Sequence, residues 1–221
     1  STLNVRYRVS PGLTAVLANA SKVYGQDDPS FGLNLSGWID GDSLASVTVG
    51  GHAGRVLGEN VGSYALSLGS LNVSNGYGVT LTNTSAALSI TPATLQVAAT
   101  NQSKVYGTDD PSLGYTVTGA VAGTVHSYAA NGSQVTITLD DSAATLVAGN
   151  LGRSVGESVG AREIFNANLS SVSANYQLGA VANGALAITP ALLTVQSGDA
   201  SKVAGTADPA FTYSVAGVVN T

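Results

Sequence analysis

A nine-residue motif occurs three times in this chain, and its recurrence constrains the fold more than any other feature of the sequence. The segment Ser21–Pro29 (SKVYGQDDP) returns as Ser103–Pro111 (SKVYGTDDP) and, altered, as Ser201–Pro209 (SKVAGTADP). All three lysines of the chain lie in this motif. Recurrence at intervals of this kind is the signature of tandem structural units. The sequence therefore predicts several copies of one small domain.

Two further landmarks recur in the same order. Arg55–Gly62 returns as Arg153–Gly160, and Leu88–Ala93 returns as Leu186–Ala191, both at an offset of 98 residues. The motif itself recurs after only 82 residues. The second copy therefore carries an insertion of about 16 residues, which the spacing places near 120–152.

These landmarks give limits for the copies. Residues 11–91 form repeat 1, residues 92–189 form repeat 2, and residues 190–221 begin a truncated repeat 3. In residues 1–10, Leu3, Val5, Tyr7 and Val9 alternate with polar residues, which predicts the last strand of a preceding repeat. Because the sequence contains no methionine, we expect it to be a fragment of a longer protein.

Each copy shows the period of a β-strand. After the Asp-Pro of the motif, Phe31, Leu33 and Leu35 alternate with small or polar residues, and the other copies do the same. Short strands separated by turn signals predict an all-β fold of small β-sandwich-like domains, or open β-grasp-like ones. At Ile90-Thr91-Pro92 and Ile188-Thr189-Pro190 a closing strand meets the next opening strand without a flexible linker. We therefore expect an extended array.

Composition excludes several classes of partner. The net charge is −5 and only 10% of the residues are charged, which argues against nucleic acid and against docking on anionic lipid. No apolar run is long enough to span a membrane, so no membrane insertion is expected of this stretch. The absence of cysteine fits either an intracellular protein or an exported bacterial chain.

Several residues could carry chemistry, and each also has a structural interpretation. Tyr24-Gly25 and Tyr106-Gly107 could form an aromatic platform for sugars, but packing of the tyrosine and a backbone bend at the glycine are favoured. Aspartates could bind calcium, but turn formation is favoured because no loop has enough oxygens; they are Asp27-Asp28, Asp109-Asp110, Asp40 with Asp42, and Asp140-Asp141. The motif lysines Lys22, Lys104 and Lys202 are expected either to form an exposed pair with the motif aspartate or to lay their aliphatic stems over the turn.

No catalytic arrangement is visible. His52 and His126 are not equivalent positions, and neither has a metal-ligand neighbour in sequence. Glu59 and Glu157 recur with the repeat and are not interpreted as a catalytic pair. No nucleophile elbow or phosphate loop is present. We expect no catalytic, cofactor or metal residues, no cofactor, and no enzyme activity.

The three motifs taken together resemble the MBG repeat of the YGX type, over essentially the whole chain. The resemblance implies a secreted, bacterial cell-surface protein, commonly a two-partner, filamentous-haemagglutinin-like adhesin associated with the outer membrane, in which such repeats form a stalk. Two positions depart from the pattern: Ala204 replaces the motif tyrosine in the third copy, and Arg162 stands where Tyr64 does in the first.

Two functions are consistent with these features. The first is a structural spacer of an adhesin that mediates surface attachment or biofilm adhesion, in which the partners are the neighbouring repeats. The second is a module that binds a host or matrix glycan or protein through the insertion, since loops presented by a scaffold often carry function. Its ligand-binding residues would be Tyr128, Asn131, Gln134 and Asp140.

Overall fold

The structure is all-β, as predicted. In a computed structural model of the chain, the described residues are 11–39 and 41–219. They form 22 strands and one 3-10 turn, Ala143–Thr145, and no α-helix occurs among them. The strand predicted in residues 1–10, and Asp40, lie outside the described residues.

Repeat 1 contains nine strands in three small sheets. The sheet orders are β3-β1-β8, β2-β9-β6-β5 and β4-β7. Their bounds are β1 Gly12–Leu17, β2 Ala20–Val23, β3 Leu33–Ser36, β4 Val49–Gly50, β5 Gly54–Arg55, β6 Gly62–Ser67, β7 Asn72–Val73, β8 Gly78–Leu81 and β9 Ala87–Thr91. The strand β2 coincides with the start of the recurring motif, a segment that the alternation of residues did not identify as a strand.

Repeat 2 has the same sheet orders and one addition. The equivalent sheets are β12-β10-β19, β11-β20-β17-β16 and β15-β18, and the addition is the hairpin β13-β14. The bounds are β10 Ala93–Ala99, β11 Gln102–Val105, β12 Tyr115–Thr118, β13 Ala122–Tyr128, β14 Gln134–Asp140, β15 Val147–Ala148, β16 Leu151–Arg153, β17 Gly160–Asn166, β18 Ser170–Ser171, β19 Tyr176–Ala182 and β20 Gly184–Thr189. Two strands of the third copy, β21 (Thr194–Ser197) and β22 (Tyr213–Ala216), pair antiparallel.

The first two strands of each complete repeat enter different sheets. The strand β1 pairs antiparallel with β3 and parallel with β8, whereas β2 pairs parallel with β9. The parallel pairing of β2 and β9 recurs as that of β11 and β20. Pro92 separates β9 from β10 and removes a backbone donor at the point where the chain changes sheets.

The predicted alternation of buried residues holds in the first two copies. In β1, Leu13, Ala15 and Leu17 are buried, and in β9 Leu88 and Ile90 are buried. Their counterparts in β10 and β20, Leu95, Val97, Leu186 and Ile188, are also buried. In the third copy the prediction of a core face is wrong for the described residues, because Leu193, Val195 and Phe211 are exposed and only two strands of that copy are described.

The insertion of repeat 2 is the hairpin β13-β14, which lies within the range given by the spacing. In repeat 1, Asp42 N–H donates to Ile39 O and closes a tight turn. In repeat 2, Asp141 N–H donates to Val121 O in the same way, but Ala122–Asp140 stands between them. The ladder runs from Ala122↔Asp140 to Tyr128↔Gln134 without interruption.

The described chain forms two compact units whose limits differ from those of the repeats. The first unit combines the chain up to Leu95 with Thr118–Val147 and Ser171–Leu178. The second contains Gln96–Val117, Ala148–Ser170 and the chain from Gly179. The hairpin of repeat 2 therefore belongs to the same compact unit as repeat 1, and the repeat limits stay a prediction from sequence.

Candidate functional site: a charged quartet and its covering hairpin

Four charged residues of repeat 1 converge below the recurring motif. Lys22 lies on β2, Asp28 follows the turn of the motif, Arg55 ends β5, and Glu59 lies in the loop before β6. These four residues are the charged quartet of repeat 1. Each belongs to one of the recurring sequence landmarks, so the landmarks that are distant in sequence meet at this site.

The quartet is a closed ring of ion pairs. Lys22 Nζ lies 2.9 Å from Asp28 Oδ1 and 2.5 Å from Glu59 Oε2. Arg55 donates from Nε and Nη2 to the two Asp28 oxygens, at 2.8 and 2.9 Å, and from Nη2 to Glu59 Oε1 at 2.5 Å. Two cations thus bridge two carboxylates, and the formal charges of the quartet cancel.

Arg55 also fixes the loop that carries Glu59. Its Nη1 donates to the carbonyls of Val56 at 3.0 Å and Gly58 at 2.7 Å. Its guanidinium carbon lies 5.2 Å from the centre of the Tyr64 ring, within the range of a cation–π contact. A planar guanidinium with five donors can make all of these contacts at once, which a lysine cannot.

Burial and ion pairing act on the quartet in opposite directions. Burial raises the pKa of the Asp28 carboxyl, but hydrogen bonds from Arg55 and Lys22 outweigh it and hold that pKa below its ordinary value. Burial likewise lowers the pKa of Arg55, and the hydrogen bond to Asp28 outweighs it and raises that pKa. Both groups are therefore held in their charged forms.

The hairpin of repeat 2 completes this site. Ser127 on β13 is fully buried, accepts a hydrogen bond from Arg55 Nη2 at 3.0 Å and donates to Glu59 Oε1 at 2.7 Å. With the hairpin in place, the Asp28 and Glu59 side chains are 0% and 5% exposed. Of the two arrangements expected for the motif lysine, the pair with the motif aspartate forms; the expectation that this pair is exposed is wrong in repeat 1, because the hairpin covers it.

Backbone groups of the hairpin form hydrogen bonds with the two aspartates of the motif. His126 N–H donates to Asp27 Oδ1 at 2.7 Å, Asp28 N–H donates to His126 O at 2.9 Å, and Tyr128 N–H donates to Asp28 Oδ2 at 3.2 Å. Arg55 and Ala129 form an isolated parallel bridge. An extended segment with one seryl hydroxyl therefore docks on the motif through both its backbone and its side chain.

A second polar cluster ties the base of the hairpin to the motif tyrosine. Tyr24 OH and Tyr176 OH each donate to Asp141 Oδ2 at 2.7 Å, and the two rings meet edge to face at 5.4 Å. Burial and then the hydrogen bond to Asp141 raise the pKa of Tyr24. Tyr24 is buried, so the structural interpretation of this tyrosine is confirmed. The bend predicted at Gly25 is also confirmed by its φ of 86°, a value that favours glycine.

Repeat 2 contains the same quartet in a different environment. Lys104 Nζ lies 2.7 Å from Asp110 Oδ1 and 2.5 Å from Glu157 Oε2. Arg153 pairs with both carboxylates. The Asp110 and Glu157 side chains are, however, 38% and 51% exposed. Hydrogen bonds from Arg153 and Lys104 lower the pKa of Asp110, and those from Lys104 and Arg153 lower the pKa of Glu157.

The third copy has a partial version. Lys202 Nζ lies 2.5 Å from Asp208 Oδ1, and both side chains are exposed. The chain therefore contains three forms of the quartet: covered in repeat 1, open in repeat 2 and partial in the third copy.

The structure brings together three of the four ligand-binding residues predicted on the insertion. Tyr128 and Gln134 face each other across the hairpin, and Asn131 lies in the turn between them, where its Oδ1 accepts from Ser133 N–H at 3.0 Å. Asp140 lies at the other end of β14, about 20 Å away at 3.3 Å per residue. The ligand-binding role of these four residues stays a prediction.

Tyr128 borders a small pocket in the first unit. The pocket has a volume of about 350 Å³, and its lining includes Phe31, His52, Asp28 and Tyr128. The rings of His52 and Tyr128 stack at 4.6 Å with an angle of 23°. His126 lies apart from this stack, with Nδ1 3.3 Å from Asp27 Oδ1. In the described ranges, no group of three or more histidine, aspartate or glutamate residues could hold a metal ion.

The quartet was missed by the sequence reasoning, although a signal for it exists. In a chain with only 10% charged residues, one lysine, two adjacent aspartates, one arginine and one glutamate recur in both complete copies. The third copy keeps only the second aspartate, Asp208, and this aspartate with the lysine, the arginine and the glutamate makes two cations and two anions, which indicates a charge-balanced cluster. The sequence does not indicate Ser127, because nothing in its neighbourhood recurs.

A family model described as MBG domain (YGX type) matches residues 13–88, 95–187 and 193–221. No curated protein and no solved structure matches the chain. Within the residues that the structure describes, no helix is long and apolar enough to cross a membrane.

Proposed function

The chain belongs to the YGX-type MBG domain family, and we propose that its repeats form a load-bearing stalk in a secreted bacterial adhesin. MBG repeats are non-catalytic structural modules of extracellular and surface proteins. One observation carries the proposal: the buried quartet of repeat 1 is completed by Ser127 from repeat 2. Consecutive repeats therefore share one polar core.

A shared polar core supports a stalk because it fixes the register between neighbours. Buried ion pairs add little net stability, since desolvation offsets the attraction between the charges. They are sensitive to geometry, however, and displacing the hairpin would expose the quartet and break three hydrogen bonds from or to Ser127 and Tyr128. A spacer needs one fixed arrangement where neighbouring repeats meet, and the hydrogen bonds of Ser127 and Tyr128 to the quartet favour such an arrangement.

Replacement of the repeats tests the proposal directly. In the complete protein, the segment 11–189 is exchanged for unrelated β-domains of the same total length, and adhesion of the cells that display it is measured. A spacer predicts that adhesion is retained, and that it falls when the segment is shortened. Loss of adhesion at equal length would contradict the proposal.

Solution scattering provides a second test on the chain itself. A stalk segment should give an elongated particle of fixed length, and Ser127→Ala should broaden the distribution of lengths. A compact particle, or a distribution that is broad already in the wild-type chain, would count against the proposal.

A second candidate function is binding of a glycan or protein at the insertion. The observation that favours it is the pocket beside the stacked rings of His52 and Tyr128, since aromatic faces commonly pack on sugars. A glycan array tests it with Tyr128→Ala as the probe variant and Tyr213→Ala, an exposed tyrosine of the third copy, as the control. Binding that only Tyr128→Ala abolishes would establish this function.

A further inference from the structure

The motif tyrosine and glycine of repeat 1 contact repeat 2 at a point outside the hairpin. Tyr24 is buried, its hydroxyl donates to Asp141 Oδ2 at 2.7 Å, and its ring meets that of Tyr176 edge to face. Next to it, Gly25 approaches Val121 so closely that a Cβ on this glycine would lie 2.6 Å from Val121 Cγ1. Val121 and Asp141 flank the hairpin without belonging to it. Val121, Asp141 and Tyr176 are the socket of repeat 2.

Repeat 1 contains an equivalent socket, with a tight turn in place of the hairpin. There Tyr77 OH donates to Asp42 Oδ2 at 2.8 Å, Ile39 N–H donates to Tyr77 OH at 3.3 Å, and Asp42 N–H donates to Ile39 O at 3.0 Å. The three equivalent hydrogen bonds of repeat 2 measure 2.7, 2.8 and 2.9 Å. The internal geometry of a socket is therefore a property of the repeat and does not depend on the hairpin.

Part of the same contact recurs between repeat 2 and the third copy. A Cβ on Gly107 would lie 2.2 Å from Val219 Cγ1, which repeats the approach of Gly25 to Val121. Both valines, and Ile39 in repeat 1, stand two residues after a glycine that follows a strand. The close approach of the motif glycine to the next copy therefore occurs twice in the chain.

We propose that Tyr24 and Gly25 form the surface by which repeat 1 recognises repeat 2, and that the socket of repeat 2 receives them with or without the hairpin. The tyrosine supplies a donor to the Asp141 carboxylate, and hydrogen bonds to an ionised acceptor are stronger than neutral ones. The glycine leaves room for the branched side chain of Val121. The hairpin adds the contacts of the quartet and narrows the arrangement of a junction that the tyrosine already makes. The inference holds whether the array acts as a stalk or as a binder.

Removal of the hairpin tests this proposal. In a hairpinless chain, Ala122–Asp140 is replaced by Asp-Gly, the sequence of the tight turn in repeat 1. Hydrogen exchange is followed by NMR at two backbone groups of repeat 1. Val61 N–H donates to Asn175 Oδ1 of repeat 2 at 2.8 Å and reports the contact between the repeats. Val56 N–H donates to Ala65 O at 3.1 Å and reports the folding of repeat 1 itself. Both groups should stay protected in the hairpinless chain.

The motif tyrosine is then changed in the hairpinless chain. Tyr24→Phe should speed exchange at Val61 on the order of tenfold, because docking loses one hydrogen bond to a charged group, and should leave Val56 unchanged. Tyr106→Phe, the same change in the motif of repeat 2, is the matched control and should leave Val61 unchanged. Tyr24→Ala, which gives repeat 1 the residue that the third copy has at Ala204, should speed exchange at Val61 further.

Each other outcome counts against the proposal. Fast exchange at Val61 in the hairpinless chain before Tyr24 is changed would show that the hairpin makes the junction. Protection of Val61 that survives both changes of Tyr24 would show that the tyrosine does not. Faster exchange at Val56 in Tyr24→Phe would mean that the hydroxyl acts within repeat 1 and not on its successor. Unfolding of repeat 2 without the hairpin, detected at Ser154 N–H, which donates to Glu163 O at 2.9 Å, would show that the hairpin is needed to form the socket.

Discussion

Replacement of Arg55 by alanine should destabilise the first compact unit more than any exchange at an equivalent site of the second. The substitution leaves the Asp28 and Glu59 carboxylates, 0% and 5% exposed, with one lysine between them. Removing one partner of a buried ion pair costs about 3–5 kcal/mol, because the remaining charge stays desolvated. The loop carbonyls of Val56 and Gly58 lose their donor as well. We therefore expect a loss of about 3–5 kcal/mol in the free energy of unfolding.

A single tryptophan makes the first unit separately measurable. Trp38 is the only tryptophan of the chain, and its ring meets that of Tyr77 edge to face at 5.5 Å in the core of repeat 1. Its fluorescence during urea titration reports the unfolding of that unit, while circular dichroism reports both. With a urea dependence of about 1–3 kcal/mol per molar, the expected loss lowers the midpoint by roughly 1 M or more.

The second quartet provides the matched control. Arg153→Ala removes the equivalent ion pairs and the equivalent hydrogen bonds to two loop carbonyls from an open site, where solvent screens the carboxylates of Asp110 and Glu157. It should leave the tryptophan transition unchanged and shift the remaining transition by less than half as much as Arg55→Ala shifts its own. Equal shifts for the two variants would refute the reasoning, since they would show that burial by the hairpin does not raise the cost of losing the arginine.

Three further outcomes are expected for the first unit. Because the pKa of Asp28 is held low, its ion pairs stabilise the folded state above about pH 4 and are lost as the pH falls through the folded-state pKa. Asp28→Asn should therefore flatten the tryptophan-monitored stability between about pH 5 and about pH 2. Burial and the hydrogen bond to Asp141 raise the pKa of Tyr176 to about 12. The protonated Tyr176 hydroxyl therefore contributes to the free energy of unfolding fully below about pH 10 and loses this contribution as the pH rises through about 12. Tyr176→Phe should remove this loss in an alkaline titration of stability. Gly54→Ala should release the hairpin, because a Cβ on Gly54 would lie 1.8 Å from Ala129 O, and the release is measured as faster hydrogen exchange at Asp28 N–H. The equivalent change in repeat 2, Gly152→Ala, should leave this exchange unchanged, since the nearest neighbours of its Cβ are movable side-chain atoms such as Phe165 Cε2 at 3.2 Å.

The strands were predictable where one face is buried. The alternation in Leu13–Leu17 and in Leu88–Ile90 reports burial directly, and both segments are strands. The strand β2 was not predicted, because the side chains that it buries include Lys22, whose charge hides the alternation. A lysine reads as a surface residue until its partners are known.

The covering of the quartet could not be read from the sequence. Apolar and polar residues alternate in Gln134–Leu139, as in a strand, and this segment lies in β14. Alternation does not say which neighbour a hairpin packs on, and Ser127 is one of many serines. The deciding contacts link residues about 70 to 100 positions apart, as with Ser127 and Glu59, and no periodic pattern records a pairing of that kind.

The two quartets show how an insertion in one repeat changes the role of residues in another. Lys22 and Lys104 occupy the same place in the same motif and make the same pairs, so the repeat itself accounts for the ring of ion pairs. The hairpin buries the first ring and not the second, and it lies in repeat 2 while it covers repeat 1. Because a covered ring tolerates loss of a partner poorly and an open ring tolerates it well, each copy's sensitivity to substitution depends on its successor.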